Sequence, residues 1–243
     1  MAGSLKAEAI VLRSMRYGEA DRILHLYSVE RGRLNAIAKG VRKGRSRFGG
    51  RLEPLMRLRL VLHEGRSDLM TVTGVETVES YPRLRDSGAA IDCAVRACDA
   101  VTRMFADAEP APHVFHLLAN QLALLNADAD RYATDATQLA FRLKLLVASG
   151  LTPQLAQCAT CGASDHLVGF SGAAGGVVCG TCEAGSFPLS ADAHEFLAAA
   201  LAAPLADVPV EVDSRTLRLA ERAISETAEH HAHVRLRTAV LRG

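Results

Sequence analysis

The chain has 243 residues, 49% of them hydrophobic and 23% charged, which is enough apolar material for two or three buried cores and excludes a disordered polypeptide. Its net charge of +1 hides an asymmetry, because Met1–Arg66 carries 15 lysines and arginines against six acids, a net +9 that leaves −8 for the remainder. A basic front on an acidic body points to nucleic acid or a membrane surface; the basic part has no long amphipathic helix and the chain no membrane-spanning apolar run, which favours nucleic acid.

From Lys6 to about Val78 the sequence reads as short strands: KAEAIVLRS, DRILHLYSV and GRLNAIAKG, separated by Tyr17-Gly18-Glu19 and Glu30-Arg31-Gly32. The brief Ile10–Leu12 run is too short for a signal-peptide core, so a cytoplasmic protein is expected. A glycine-punctuated loop follows, in which Lys39, Arg42, Lys43, Arg45, Arg47 and Arg51 occur without an acid, so that their fields add and a polyanion is the natural partner. Phe48 offers a base-stacking face in that loop, or else an apolar anchor beneath it. Leu58, Leu60 and Leu62 then alternate with Arg57, Arg59 and Val61, the pattern of a strand with two arginines on its outer face. With LMTVTGVETV as a fifth strand, residues 1–80 are expected to form a small Greek-key barrel of the OB type, a recurrent host for nucleic acid.

After Tyr81-Pro82 the composition turns helical, and 81–152 reads as a helical domain. Ile91, Ala94, Val95, Cys98, Val101, Thr102 and Phe105 are spaced as one buried stripe, with Cys93 and Cys98 as small core hydrophobes. Further helices are expected over about Pro112–Leu125 and Tyr132–Ser149, the latter ending at Gly150 as a left-handed cap.

The segment 153–188 opens with CATC and closes with CGTC, with 17 residues between Cys161 and Cys179. Two such knuckles present Cys158, Cys161, Cys179 and Cys182 to one tetrahedral ion, predicting a structural zinc site; paired redox dithiols are the rival reading. Residues 189–243 predict a helix over Ser190–Ala203, capped by Ser190, and a long one over Ser214–Leu241, both packing with the helical domain. His230, His231 and His233 have no carboxylate or cysteine at a metal-site spacing and read as packed or solvated residues. The fold class expected is thus α+β and multidomain: an OB-fold-like β-barrel, an α-helical bundle, an inserted four-cysteine zinc knuckle and terminal helices.

This order of parts resembles the bacterial recombination mediator family RecO. The resemblance rests chiefly on AIVLRSMRYGEADRILHLYSVERGRLNAIAKGVRKGRSRFGGRLEP, with its YGE turn, its basic loop and the following LEP; FRLKLLVASGLTP and the cysteine knuckle carry it further. It places the chain with the zinc-containing members. It implies a protein that binds single- and double-stranded DNA through the barrel, anneals complementary strands, and works with RecR to load RecA on DNA coated by the single-stranded-DNA-binding protein. On that resemblance Lys39, Arg42, Lys43, Arg45, Arg47 and Arg51 are DNA contacts, and the strand pattern adds Arg57 and Arg59. The family docks the acidic tail of the single-stranded-DNA-binding protein near the segment matching Phe141–Gly150, which makes Arg142 and Lys144 candidate carboxylate partners.

Two other classes compete. A zinc-dependent nucleic-acid enzyme is disfavoured because four cysteines close the zinc shell, no HxE precedes them and no phosphate-binding GxxxxGK[ST] loop occurs. An RNA-binding module would use the same barrel and loop, and competition between single-stranded DNA and structured RNA separates it.

Overall fold

Strict alternation of apolar and polar residues builds the first part of the molecule. In the computed structural model, which describes residues 3–41, 48, 50–64, 69–105 and 108–238, five strands close into a barrel: β1 (Ser4–Tyr17), β2 (Asp21–Ser28), β3 (Gly32–Ala38), β4 (Arg57–His63) and β5 (Met70–Glu79). The order around the barrel is β1-β2-β3-β5-β4, antiparallel throughout except where β3 meets β5 at Ala36↔Met70 and Ile37↔Thr71. This is the OB-type barrel expected from the strand spacing. Leu24, Leu26, Leu34, Ala36, Leu58, Leu60 and Leu62 fill it, each two residues from the next along its strand, and the buried side chains of Phe48 and Leu52 join them. The first strand runs further than KAEAIVLRS suggests. After a register slip between Val11 and Arg13, Met15–Tyr17 pair with Asp21–Ile23, so Tyr17 ends a strand.

Two helices follow, α1 (Gly88–Met104) and α2 (Pro112–Ala127), with Ser87 Oγ accepting the Ala90 N–H at the start of α1. The face that α1 buries is Ala90, Cys93, Ala94, Ala97, Cys98 and Val101, so the expected stripe is rotated: Ile91 and Val95 are exposed. Alanine and cysteine allow closer packing than the branched residues, and the helix turns its small side inward. Phe105 meets the Tyr27 ring edge-on at 6.5 Å.

The chain divides into two compact units, Met1–Ala127 and Asp128–Gly243. Of the four segments read from the sequence, 1–80 lies in the first unit, 153–188 and 189–243 in the second, and 81–152 is shared between them.

In the second unit a short α3 (Ala129–Tyr132) precedes α4 (Asp135–Ala148), which packs against α5 (Ala191–Ala202) and α6 (Ser214–His231). The end of α4 is a Schellman cap: Gly150 takes φ 80°, its N–H bonds Val147 O, and the Leu151 N–H reaches back to Leu146 O. Ser190 caps α5 as expected, its hydroxyl accepting the Ala193 N–H. The last helix is shorter than Ser214–Leu241. It stops at His231, because His233 turns to φ 55° and the Val234 N–H returns to Ala228 O; residues 239–243 lie outside the described set. Between α4 and α5, β6 (Leu167–Ser171), β7 (Gly176–Cys179) and β8 (Phe187–Pro188) form a small sheet in the order β7-β6-β8. Among the described residues, no helix is long and apolar enough to cross a membrane.

Candidate nucleic-acid interface and metal centre

The basic loop leaves the barrel at the end of β3 and is fixed at both roots. At the first, Gly40 adopts φ 70° and gives its N–H to Asp21 Oδ1 at 2.8 Å, with Lys39 exposed beside it. At the second, Leu52 is buried and Arg51 Nε donates to Phe48 O at 2.9 Å. Arg42, Lys43, Arg45 and Arg47 lie outside the described residues. The ring of Phe48 is 1% exposed and belongs to the barrel core. It is the anchor of the loop and offers no face to a base, since a phenyl ring gains more from burial among leucines than from solvent exposure.

Arg57 and Arg59 stand on the outer face of β4, as their alternation with Leu58 and Leu60 required, yet both face carboxylates. Arg57 Nε donates to Glu8 Oε1 at 2.6 Å across the β1–β4 pair, and its guanidinium lies 5.4 Å from the centroid of the Phe115 ring. Arg59 Nη1 meets Glu76 Oε2 at 3.0 Å on β5. Both are thus ion-paired on the outer face that the strand pattern required, Arg59 with its side chain half exposed.

Arg142 is also placed differently from its expected role. It is 2% exposed in the middle of α4, 4.0 Å from Glu221 of α6, because α4 is covered on nearly every side by its neighbours. Lys144 Nζ donates to Ala203 O at 2.6 Å, at the C-terminal end of α5 where exposed carbonyls favour a cation, and burial lowers its pKa from the ordinary lysine value. Neither side chain stands ready as an exposed receptor for a carboxylate tail.

The four knuckle cysteines do converge. Their sulfur atoms all lie within 4.8 Å of one another, and Cys161 Sγ is 3.7 Å from Cys179 Sγ. A tetrahedron with metal–sulfur bonds of about 2.3 Å has edges of about 3.8 Å, so the spacing fits a single zinc-sized ion. Two turns build the site: Gly162 N–H bonds Cys158 O at 2.9 Å, and Cys182 N–H bonds Cys179 O at 2.9 Å. Backbone donors at Cys161 and then Cys179 hold the Cys158 thiol down at about 6, whereas hydrogen bonding to Cys161 and then burial push Cys182 up to about 12. Sulfurs this crowded form an arrangement that a divalent cation would resolve by taking all four as thiolates. Four thiolates would fill a tetrahedral shell around such an ion and leave no position open for a reacting water.

The class defined at this point is an OB-type barrel with a basic loop, continued by helices that carry a four-cysteine knuckle able to hold a metal ion. Sequence comparison narrows it: the family description "Recombination protein O N terminal" matches residues 1–81, and "Recombination protein O C terminal" matches residues 85–239. The chain therefore belongs to the RecO family. It is similar to proteins named DNA repair protein RecO from Anaeromyxobacter dehalogenans (strain 2CP-C), 36% identical over 96% of this chain and 93% of that one, and from Pelotomaculum thermopropionicum, 42% identical over 74% and 68%. The like-named protein of Geobacter sulfurreducens is 37% identical over 79% of each.

Proposed function

We propose that the chain is a non-enzymatic DNA repair factor of the cytoplasm, active at the nucleoid. It binds single- and double-stranded DNA, anneals complementary strands and, with RecR, assists the loading of RecA on DNA coated by the single-stranded-DNA-binding protein. The observation that carries this reading is an acid-free basic loop rooted on an OB-type barrel: exposed Lys39 and the Asp21–Gly40 bond at one end, buried Phe48 and Leu52 at the other. Lys39, Arg42, Lys43, Arg45, Arg47 and Arg51 contact phosphates, which carry no base sequence, as befits a factor that must serve any strand. The acidic tail of the single-stranded-DNA-binding protein is a partner of the second unit, at a site other than buried Arg142. Zinc in the knuckle is structural, one per chain.

An annealing assay with complementary oligonucleotides, bare and coated with the single-stranded-DNA-binding protein, tests the proposal. Faster annealing than without protein is expected on both. No acceleration on either substrate refutes annealing, and tighter binding to structured RNA than to single-stranded DNA makes the chain an RNA module instead.

A further inference from the structure

The second unit carries a cleft that neither the metal knuckle nor the basic loop explains. Its volume is about 280 Å³, at the lower end for a ligand pocket, and its walls are α5, the start of α6 and the segment between them. One wall is a face of α5, where Asp192, Glu195, Phe196 and Ala199 recur at helical spacing. The other is the stretch 209–213, which enters α6 through its cap Asp213 and contributes Glu211 and Val212 to the cleft.

Charge is the first guide to what this cleft takes. Asp192 and Glu195 bring carboxylates to one wall and Glu211 to the other, no lysine or arginine lines the space, and among the described residues none of these three side chains has an ion-pair or hydrogen-bond partner. Other acids of the same unit are matched: Glu221 with Arg142, Glu226 with Arg222 and Glu229 with Arg235. Asp213 adds a fourth carboxylate, which hydrogen bonds from the Thr216 hydroxyl and then from the Thr216 and Arg215 N–H groups hold below the usual carboxylate value. Carboxylates gathered in one cleft repel each other, and a guest cation relieves that repulsion. The same sign turns away nucleic acid, and also the acidic tail proposed above as a partner of this unit.

The main chain of the far wall is the second guide. Val208 (φ −66°, ψ 140°) and Asp213 (φ −65°, ψ 153°) bound an extended stretch, and among the described residues no backbone group of Val210, Glu211 or Val212 is hydrogen bonded. An extended backbone with free donors and acceptors is an edge along which another extended chain can pair. Ala199, Val212 and the edge of Phe196 supply apolar surface between the carboxylates, suited to the aliphatic stem of a lysine or arginine.

We infer that the cleft between α5 and residues 209–213 is a docking site for an extended, basic segment of a partner protein, which pairs along Val210–Val212 and sets a lysine or arginine between the acidic walls. This site lies outside the DNA-binding reading and does not depend on it.

The probe is a fluorescein-labelled heptapeptide of alternating lysine and valine, titrated against the full chain and followed by anisotropy. Saturable binding of one peptide per chain is expected. Glu195→Gln combined with Glu211→Gln should weaken it about 3- to 30-fold, with the melting temperature and the affinity for oligodeoxythymidine as in the parent. Both side chains are exposed and keep their size as glutamine, so the fold is retained. Methylating alternate amides of the peptide leaves its charge and removes its backbone donors, and should weaken binding as well. Absence of saturable binding, or equal affinity of parent and double variant, overturns the inference, and undiminished binding of the methylated peptide refutes the strand pairing. Spermidine that binds as tightly as the peptide and displaces it would make this a site for small polycations. Self-association of the chain that the double variant abolishes would make a second copy the occupant. Either result overturns the assignment to a partner protein.

Discussion

Replacing Phe48 by alanine separates an anchored loop from a stacking loop. The ring is 1% exposed and shares the barrel interior with Leu24, Leu52, Leu58 and Leu60, so its removal opens a cavity and costs about 3–5 kcal/mol. In a unit spanning Met1–Ala127 each kcal/mol moves the melting temperature by roughly 3–5 °C, which predicts a fall of roughly 10–25 °C. Phe48→Leu keeps most of the apolar volume and should cost about 1 kcal/mol. Thermal melts by circular dichroism give the stability. Titrations at low temperature, where both variants remain folded, should show losses on single strands and duplex that match each other, because what changes is the footing of the whole basic loop. An unchanged melting temperature combined with a selective loss on single strands would refute burial of the ring as its role.

Elemental analysis should return about one zinc per chain, and a chelator should expose the amides of β6 and β7 to exchange while those of β2 and β3 stay protected; a metal-free knuckle that keeps its protection contradicts a structural metal. Arg142→Ala should lower stability by about 3–5 kcal/mol, as expected when one member of a buried pair is removed, with affinity for bare DNA unchanged; an unaltered melt would mean that the side chain is not held in the core. Arg57→Ala should cost about 1–3 kcal/mol through Glu8 and Phe115 and leave the salt dependence of DNA binding as it was, whereas a slope lowered by about 0.7 would make Arg57 a phosphate contact after all.

The barrel was legible because leucine alternation in GRLNAIA and RLRLVLH fixes both the strands and their inward face, and the convergence of Cys158, Cys161, Cys179 and Cys182 because paired CxxC turns bring four sulfurs together. Helix ends were legible where a cap has a chemical signature, as at Ser190 and Gly150, and illegible at His231, where the chain turns away through a left-handed His233 without the glycine that would announce it. The stripe of α1 was misjudged because branched residues look like core, yet the alanines and cysteines are what its packing accepts. Arg142 shows the general limit: in FRLKLLVASG its charge argues for solvent, and only the crowding of α4 by α5 and α6 reveals that it is buried. The end of β1 was hidden for the converse reason. YGE signals a turn, and that β1 continues to Tyr17, past a register slip, is a property of the pairing and not of the local sequence.

Charge counting illustrates why position outweighs total. The net +9 of Met1–Arg66 suggests a barrel that is cationic all round, but Arg22, Arg31, Arg57 and Arg59 each lie within ion-pair distance of a glutamate: Glu53, Glu64, Glu8 and Glu76. The Arg57 and Arg59 pairs cross neighbouring strands, so these carboxylates act as pins of the barrel wall rather than as general neutralisers. A paired guanidinium that turned to a phosphate would leave its glutamate facing the polyanion, so the exchange gains little. Cations that can release counterions are therefore those outside such pairs, and of the described residues these include Lys39 after β3 and Arg13 and Arg16 at the end of β1. Hairpin pairing sets β1 and β3 on either side of β2, which brings these ends to one region of the barrel. The basic front is thus a directed surface, strongest where the loop leaves, and the acids within it sharpen that direction by holding the remaining arginines elsewhere.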